Sequence, residues 1–382
     1  MKVAVLGYGT VGVGVCDMLR GAQGLEPGPV LVRPGKDDRP FKVTSIEQIV
    51  NDPSVGAVAE VMGGLEPAFT YVSAALKAGK HVVTSNKALV AAHGPELAAM
   101  AQDSGVGFLF SAACGGAVPF LHNLALAVES DRILSLGGIL NGTTNYMLDS
   151  MQRFGMDYGG ALAQAQRLGY AEADPTADVS GLDALRKIML ACAVAFDQLP
   201  GDGFCREGIE SITAADVQHF RSKGLVCRLL VRGGVSESGA LYAYVQPVLL
   251  PATAPESSVL LNFNLARYEG VNSGAILLMG QGAGRYPTAS AVVRDLSDIL
   301  HGRRTMMSAG CPRVTADNSV CLCRYYVRLP EACAAALPFA EAEAADGLVR
   351  GQTEPIPVSR MHDLAAELRA AGAELFFAAL ED

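Results

Sequence analysis

The chain has 382 residues and a formal net charge of −9 at pH 7, and 50% of its residues are hydrophobic against 18% charged. This composition excludes an intrinsically disordered chain, and the length suits two or three domains. The acidic balance argues against nucleic acid or an anionic membrane as a partner, because either would need a basic face.

The first hundred residues alternate between strand and helix patterns. Short apolar segments predict strands at residues 2–6, 29–32, 56–61, 81–84 and 107–110. Amphipathic segments between them predict helices at residues 11–19, 69–78 and 96–102. This alternation predicts an α/β fold with a parallel, doubly wound sheet. Because the chain opens on a strand pattern rather than a targeting segment, we expect a cytoplasmic protein.

The pattern changes at about residue 113. Helices are predicted at residues 120–128, 147–153, 161–168 and 182–196, and strands at 133–139, 225–231, 241–248 and 275–279. This mixture indicates a second, α+β domain with a more antiparallel sheet. Another helix is predicted at residues 290–300. After about residue 307, an Ala- and Glu-rich tail contains a strand-like run, 320–329, and a helix, 361–371.

A glycine-rich turn follows the first predicted strand and opens the first predicted helix. Its sequence is GYGTVG, residues 7–12, with the G-x-G-x-x-G spacing of dinucleotide-binding folds. The glycines allow close approach of a pyrophosphate, and a helix N-terminus favours phosphate. The motif predicts cofactor binding by Gly7, Gly9, Thr10, Val11 and Gly12. The alternative is a glycine-rich turn that only packs on the sheet.

The end of the second predicted strand bears on the choice of cofactor. An acid there would bind a ribose 2′-hydroxyl, whereas a base suits a 2′-phosphate. Here Arg33 ends the strand, Lys36 follows closely, and the tip carries no acid. This favours NADP over NAD. The alternative is that Arg33 is an ordinary surface arginine.

A polar segment, Thr84-Ser85-Asn86-Lys87, follows the strand predicted at residues 81–84. In a doubly wound sheet, ligands bind beyond the carboxyl ends of the strands. Lys87 is therefore placed to meet an anion or to polarise a carbonyl oxygen. The alternative is a solvated lysine that begins a helix.

The densest cluster of charged residues lies between residues 169 and 187. Asp183 and Lys187 are four residues apart on a predicted helix, so they share one face. Burial lowers the pKa of a lysine and a nearby carboxylate raises it again, so Lys187 is a candidate for proton exchange with an alcohol. The alternative is a structural salt bridge on a core helix.

Two other segments have a chemical and a structural interpretation. Cys114 is either a nucleophile or a small buried residue, and the nine cysteines, which lack CxxC spacing, are expected to be reduced. The six histidines lack the spacing of a zinc site. A second glycine loop, residues 280–284, either returns to the cofactor or only opens a helix.

Six motifs in this order resemble the homoserine dehydrogenase family: GYGTVG, EVMGG, GKHVVTSNKALV, GILNGTTNYML, GYAEADPTADVSGLDALRK and GQGAGRYPTASAVVRDL. The resemblance covers about residues 1–305. It implies NAD(P)-dependent interconversion of L-homoserine and L-aspartate 4-semialdehyde, on the pathway to threonine and methionine. It also implies a Rossmann-type nucleotide domain at residues 1–112, completed by residues 280–306. A substrate-binding and dimerisation domain at 113–279 and a small C-terminal appendage at 307–382 would follow.

The resemblance also implies roles for individual residues. Glu172 would hold the substrate amino group, Asp183 would help to bind homoserine, and Lys187 would be the proton donor or acceptor. Lys87 would lie between substrate and nicotinamide. The remaining substrate-binding candidates are Gly169, Tyr170 and Asp178, and the remaining cofactor-binding candidates are Thr84, Ser85 and Gly282.

Two departures from the family pattern change what we expect. The family carries a glutamate that holds a monovalent cation together with three backbone carbonyls, but Ser111 occupies that position here. The carbonyls map to Cys114, Gly116 and Val118, and loss of the carboxylate argues against the cation. In addition, residues 324–329 resemble the first strand of an ACT regulatory domain. The Asp-x-x-Gly loop that should follow is missing, which argues against threonine feedback.

Two rival functions stay open at this point. One is an aspartate-semialdehyde dehydrogenase that uses Cys114 as nucleophile, and the other is a non-catalytic NADP-binding sensor. Neither would use the cluster of Glu172, Asp183 and Lys187. We expect a homodimer or a homotetramer.

Overall fold

Within residues 1–35 and 41–381, which the computed structural model of the chain describes, six parallel strands form one sheet. They are β1 (Lys2–Leu6), β2 (Glu26–Leu31), β3 (Lys42–Val43), β4 (Val55–Glu60), β5 (His81–Thr84) and β6 (Phe108–Leu109). Their order is β3-β2-β1-β4-β5-β6, so the progress of the chain across the sheet reverses between β1 and β4. Ligands of doubly wound sheets bind at the carboxyl ends of the strands at such a reversal.

Helices cover this sheet, and the predicted doubly wound α/β fold is confirmed. They include α1 (Thr10–Leu19), α2 (Glu47–Val50), α3 (Ala68–Lys77) and α4 (Lys87–Asp103). Residues 3–6 of β1 and 57–60 of β4 are at most 1% exposed. These strands are apolar without alternation because both faces of a parallel sheet are buried under helices.

In the described part of the chain, a second sheet contains eleven strands. They are β7 (Ile133–Ile139), β9 (Cys205–Arg206), β10 (Leu225–Val235), β11 (Leu241–Pro251), β12 (Phe263–Gly270), β13 (Gly274–Gln281), β15 (Leu322–Pro330), β16 (Phe339–Ala345), β17 (Leu348–Thr353), β18 (Ile356–Pro357) and β19 (Phe376–Leu380). Two further strands, β8 (Leu199–Asp202) and β14 (Arg313–Thr315), pair with each other.

Eight helices accompany the second sheet or return to the first, among the residues described. They are α5 (Phe120–Ala127), α6 (Gly142–Phe154), α7 (Tyr158–Arg167), α8 (Thr176–Val179), α9 (Leu182–Phe196), α10 (Ala214–Ser222), α11 (Arg285–Leu300) and α12 (Val358–Ala370). Helix α9 is buried along most of its length, as its apolar sequence predicts. Helix α11 packs on α1, where a Cβ at Gly14 would approach Ala289 Cβ to 3.0 Å.

The C-terminal strands continue the second sheet rather than forming a separate one. Strand β19 pairs in parallel with β11 and antiparallel with β15, and β17 and β16 follow outward. A 3-10 turn, Glu331–Ala336, lies between β15 and β16. Two buried or half-buried ion pairs support the junction: Arg232 to Glu381 at 2.6 Å, and Arg328 to Asp216 at 2.9 Å.

Three helices begin five or more residues earlier than the sequence patterns predict. Helix α4 begins at Lys87 and continues through Pro95, α6 begins at Gly142, and α11 begins at Arg285. The first two are capped, because Asn86 Oδ1 accepts the Leu89 N–H at 3.1 Å and Asn141 Oδ1 accepts the Thr144 N–H at 2.9 Å. Strands β12, β16, β17 and β19 were not predicted.

Candidate functional site

The glycine turn after β1 opens onto a cavity of about 480 Å³. Gly7 has φ +101°, which favours glycine, and a Cβ at Gly12 would lie 2.2 Å from the Gly7 carbonyl oxygen. Gly9 precedes α1 without a side-chain cap, and no neighbour would lie within 4 Å of a Cβ there. The first-turn N–H groups of α1 are therefore open to an anion. A pyrophosphate fits this arrangement.

Arg33 is exposed at the rim of the same cavity, beside Pro34. Gly7, Gly9 and Gly63 also line this cavity. Lys36, the other base noted near this strand end, lies outside the described residues. Among the described residues that line this cavity, Arg33 is the one cation and Glu66 the one acid.

A larger cavity of about 750 Å³ lies where the two sheets meet. Many residues singled out from the sequence line it together: Thr10, Val11, Ser85, Lys87, Gly116, Gly169, Tyr170, Glu172, Asp178, Asp183, Lys187 and Gly282. Segments that are far apart along the chain therefore form one wall. The cavity connects the α1 N-terminus with the acidic loop before α9.

Two glycine segments allow the two parts of the chain to meet at this cavity. A Cβ at Gly116 would lie 2.6 Å from the Gly282 carbonyl oxygen, and a Cβ at Gly282 would lie 2.1 Å from Asn264 Cγ. The Ala117 N–H donates to the Gln281 carbonyl at 3.0 Å. The loop at residues 280–284 therefore returns to the site from the far end of the second sheet.

A buried carboxylate between two lysines lies at the centre of the cavity wall. Lys187 Nζ is 2.7 Å from Asp183 Oδ2, and Lys87 Nζ is 2.9 Å from Asp183 Oδ1. Lys187 Nζ also donates to the Leu140 carbonyl at 2.6 Å. Asp183 and Lys187 are nearly buried, whereas about a third of the Lys87 side chain is exposed. The Lys187 ammonium group is therefore held in one orientation, and one of its three N–H donors remains for a ligand.

Burial and charge oppose each other in this cluster. Burial alone would raise the pKa of Asp183, but Lys187 and Lys87 lower it below its ordinary value. Burial alone would lower the pKa of Lys187, but Asp183 raises it above its ordinary value. The effect of the carboxylate on the pKa of Lys187 outweighs that of burial, because Asp183 lies in direct contact. Lys187 is therefore an ammonium group at neutral pH.

Gly169, Tyr170 and Glu172 lie on the loop before α8, and Asp178 lies within α8. Tyr170 packs edge-on against Tyr146, with ring centroids 5.0 Å apart, and its carbonyl accepts a hydrogen bond from Thr143 Oγ1 at 2.6 Å. Glu172 is exposed on the cavity wall beside Gly169. An exposed carboxylate there is accessible to an ammonium group of a small ligand.

Asn141 was not selected from the sequence, although it belongs to the NGTTNY motif. Its Nδ2 donates to Asp178 Oδ1 at 2.8 Å and to Asp183 Oδ2 at 2.9 Å. Burial raises the pKa of Asp178, and the Asn141 hydrogen bond lowers it in part. Asparagine before a helix is a common cap, so sequence alone indicates its capping role but not these contacts.

Glu60 was also missed, and it lies between the ends of β4 and β5. Its carboxylate accepts hydrogen bonds from the Met62 N–H at 2.7 Å and from Thr84 Oγ1 at 2.5 Å. Thr84 therefore faces Glu60 rather than either cavity, while Ser85 lines the larger one. The signal in the sequence was an acid at the end of an apolar strand, followed after Val61 and Met62 by a Gly-Gly pair.

Cys114 is placed unfavourably for a nucleophile. It is fully buried, lines neither cavity, and its Sγ lies 3.9 Å from the Lys187 carbonyl. Burial raises the pKa of the Cys114 thiol to about 12, so the thiolate is not populated at neutral pH. This geometry gives no support to the alternative that uses Cys114 for acyl transfer.

Ser111 does not offer a carboxylate for a cation. Its N–H donates to Asp295 Oδ2 at 2.8 Å, and its hydroxyl donates to Asp295 Oδ1. The Val118 carbonyl accepts the Phe120 N–H at 2.8 Å. Among the described residues, no group of three or more His, Cys, Asp or Glu side chains is arranged to hold a metal ion. Where the family has a glutamate, this chain therefore has a hydroxyl that is already hydrogen-bonded to Asp295.

Comparisons with known proteins agree on one family. The model of the "Homoserine dehydrogenase, NAD binding domain" matches residues 7–111, and the "Homoserine dehydrogenase" model matches residues 119–297. A homoserine dehydrogenase of Synechocystis sp. is 40% identical over 317 residues, 78% of this chain and 73% of that relative. One of Corynebacterium glutamicum is 40% identical over 328 residues, 81% of this chain and 73% of that relative. A solved homoserine dehydrogenase from Thiobacillus denitrificans aligns with a TM-score of 0.88 at 31% identity, covering 100% of this chain and 98% of that chain.

Proposed function

Because the chain belongs to the homoserine dehydrogenase family, we propose that it interconverts L-homoserine and L-aspartate 4-semialdehyde, with Lys187 exchanging a proton with the substrate oxygen. The chain is an NAD(P)-dependent oxidoreductase of amino-acid biosynthesis. The observation that carries the role of Lys187 is its buried ion pair with Asp183, 2.7 Å long, on the wall of the cavity beside the α1 N-terminus.

The reaction needs two transfers at one carbonyl group. When bound, the nicotinamide cofactor supplies the hydride for the aldehyde carbon or accepts it from the alcohol. Lys187 donates a proton to the oxygen during reduction, and Asp183 keeps it protonated until then. Lys87 adds a second positive charge, which stabilises the developing alkoxide. For oxidation of homoserine, Lys187 must first release its proton.

The acidic residues of the cavity suit the ammonium group of the substrate. We assign Glu172 to that group, with Asp178 and Asp183 completing the negative wall. Gly169 and Tyr170 would contact the rest of the molecule. These roles rest on the cavity lining and on the family motif.

The glycine turn and the open end of α1 suit the cofactor pyrophosphate, with Gly7, Gly9, Thr10 and Val11 in contact. Gly12 allows the close packing behind it. We propose NADP as the preferred cofactor, because Arg33 lies at the rim of the smaller cavity. Ser85, Lys87 and Gly282 would lie near the nicotinamide, as lining residues of the larger cavity.

We propose the domain division that follows from these contacts. Residues 1–112 would form the nucleotide domain, completed by 280–306, and the packing of α11 on α1 supports this. Residues 113–279 would bind substrate and dimerise. Residues 307–382 would be a degenerate ACT-like region. The strand order β19-β15-β17-β16 supports the likeness to an ACT domain.

We further propose a homodimer or homotetramer. Strand β13 lies at one edge of the second sheet and exposes 38% of Leu277 and 62% of Met279. Light scattering at several concentrations tests this, and a monomer at all of them would contradict it.

Among the described residues, no helix is long and apolar enough to cross a membrane. We propose a cytoplasmic location because the cysteines are free thiols, and cell fractionation tests it.

A spectrophotometric assay of the wild-type chain tests the proposed function. L-Homoserine with NADP or NAD should give reduced nicotinamide, and L-aspartate 4-semialdehyde with NADPH should consume it. Cys114→Ser should keep this activity, because the thiol lines neither cavity. No turnover with either cofactor would favour a non-catalytic sensor, and loss of activity in Cys114→Ser would favour the acyl-transfer alternative.

A further inference from the structure

Two acidic side chains of the cavity share one amide group. Asp178 comes from α8 and Asp183 from α9, and Asn141 Nδ2 donates to an oxygen of each, at 2.8 and 2.9 Å. Asn141 is 4% exposed. Carboxylates that lie close together in a buried site repel each other, and one of them readily takes up a proton. The amide places its positive end between them.

The orientation of this amide is determined by the helix that follows. Asn141 Oδ1 accepts the Thr144 N–H at 2.9 Å and Thr144 Oγ1 at 3.0 Å. A rotated amide would point its NH₂ group at the Thr144 N–H and its oxygen at the two carboxylates. Both contacts would then be repulsive, so the cap of α6 directs the donors into the active-site wall.

We propose that Asn141 is a positioning residue for proton transfer, which rests on the proposed function. It holds Asp178 beside Asp183 and shares Asp183 Oδ2 with Lys187. Asp183 then remains ionised with its oxygens directed at Lys187 and Lys87. The direction of the Lys187 ammonium group depends on that carboxylate. Asn141 therefore acts on the substrate oxygen through Asp183 and Lys187.

Removal of the amide donor should change the titration of the acidic pair. The charged groups that act on Asp178 are Asp183 and Lys187, with the Asn141 amide and the Thr143 hydroxyl as polar neighbours. Without the amide, Asp178 and Asp183 repel each other more strongly. Their joint protonation should therefore occur at higher pH than in the wild-type chain.

Two variants separate this role from helix capping. Asn141→Ser retains an oxygen that caps α6 but removes the amide donor, and Asn141→Asp retains the shape and the cap but adds a third carboxylate. Asp157→Ala is the control, because Asp157 caps α7 by accepting the Gly160 N–H at 2.7 Å, outside the cavity. We expect Asn141→Ser to lower kcat/KM for homoserine about 10–100-fold, and Asn141→Asp to lower it further.

The pH profile is the readout that a structural role alone would not change. In Asn141→Ser the acidic limb of kcat/KM for aldehyde reduction should move to higher pH, because this direction uses protonated Lys187 and its acidic limb reports the carboxylates. Binding of NADPH, followed by fluorescence, should stay as in the wild type. Asp157→Ala should lower only the melting temperature. Unchanged kinetics in Asn141→Ser, or lower activity without movement of the limb, would overturn the inference. Absence of homoserine oxidation by the wild-type chain would instead overturn the proposed function. If Asn141→Ser fails to fold, Asn141→Asp provides the same comparison.

Discussion

Asp183 and Lys187 form an ion pair of 2.7 Å across one turn of α9, where both side chains are nearly buried. Separating the two charges in such a place is costly, so the pair is stable only while both partners remain. A substrate oxygen that approaches Lys187 therefore meets an ammonium group that is already charged, oriented and shielded from bulk water.

Lys187→Met should remove proton transfer while it preserves side-chain length. We expect kcat to fall about 10²–10⁴-fold, the range for loss of a general acid or base. Binding of NADPH should be retained, because the glycine turn is not touched. Lys77→Met on the exposed end of α3 is the matched control and should keep wild-type rates. Steady-state rates and fluorescence titration measure both properties.

Asp183→Asn should shift the pH dependence of the reaction. Asp183 raises the pKa of Lys187 above the ordinary lysine value, so its loss lowers that pKa. Aldehyde reduction needs protonated Lys187, and its alkaline limb should therefore move to lower pH. Homoserine oxidation needs the neutral amine and should extend to lower pH, although with weaker substrate binding. An alkaline limb at the wild-type position would show that Asp183 does not control Lys187.

Arg33→Glu should change the cofactor preference. A carboxylate at the rim repels a 2′-phosphate and suits a ribose 2′-hydroxyl. We expect the KM for NADP to rise about 10–100-fold, as for loss of one charge-assisted hydrogen bond, while the KM for NAD stays level or falls. Initial rates with each cofactor test this. An equal effect on both cofactors would place Arg33 outside the 2′ site.

Asp295 should make the stability of the protein depend on pH. Burial raises its pKa from 3.8 to about 6, so between these values the folded chain holds a proton that the unfolded chain has released. The stability that the protonated carboxyl contributes is fully present below the pKa of Asp295 in the unfolded chain. It is lost as the pH rises through the pKa of Asp295 in the folded chain. Between about pH 4 and pH 7, the free energy of unfolding of Asp295→Asn should therefore rise by about 1–3 kcal/mol relative to that of the wild type. Urea unfolding at both pH values measures this, and a constant difference would contradict it.

L-Threonine should leave the rate of homoserine oxidation unchanged. The C-terminal region lacks the Asp-x-x-Gly loop, and a 3-10 turn stands between β15 and β16. Initial rates with and without the amino acid decide this. Inhibition at saturating homoserine would show that this region binds an effector in another way.

Much of the fold follows from local sequence. Strands β1, β4 and β5 are short, mostly apolar segments, and helix α9 contains a long apolar run after Lys187. Such segments carry a strong local signal. The starts of α4 and α6 were misplaced because Asn86 and Asn141 act as caps through contacts three residues ahead. The junction of β19 with β11 depends on pairing between distant segments, which local patterns do not contain.

The candidate site also contains some contacts that the sequence predicts and others that it does not. The spacing of Asp183 and Lys187 on one helix predicts their contact, and the structure has it. The contact between Lys87 and Asp183 was not predicted by spacing, because the two residues lie on helices α4 and α9, which are far apart along the chain and pack on different sheets. Glu60 and Asp295 were missed for a related reason: their partners, Thr84 and Ser111, come from other elements.

The parallel pairing of β19 with β11 has a consequence for how the chain reaches its folded state. Val248 and Ala379 are partners in that pairing, although most of the second sheet lies before residue 282. The edge of β11 at Val248 and Leu249 therefore stays unpaired during synthesis until the segment that contains β19 has emerged from the ribosome. Pairings between distant segments form slowly, and open strand edges attract other chains. We therefore expect refolding yield to fall steeply with protein concentration.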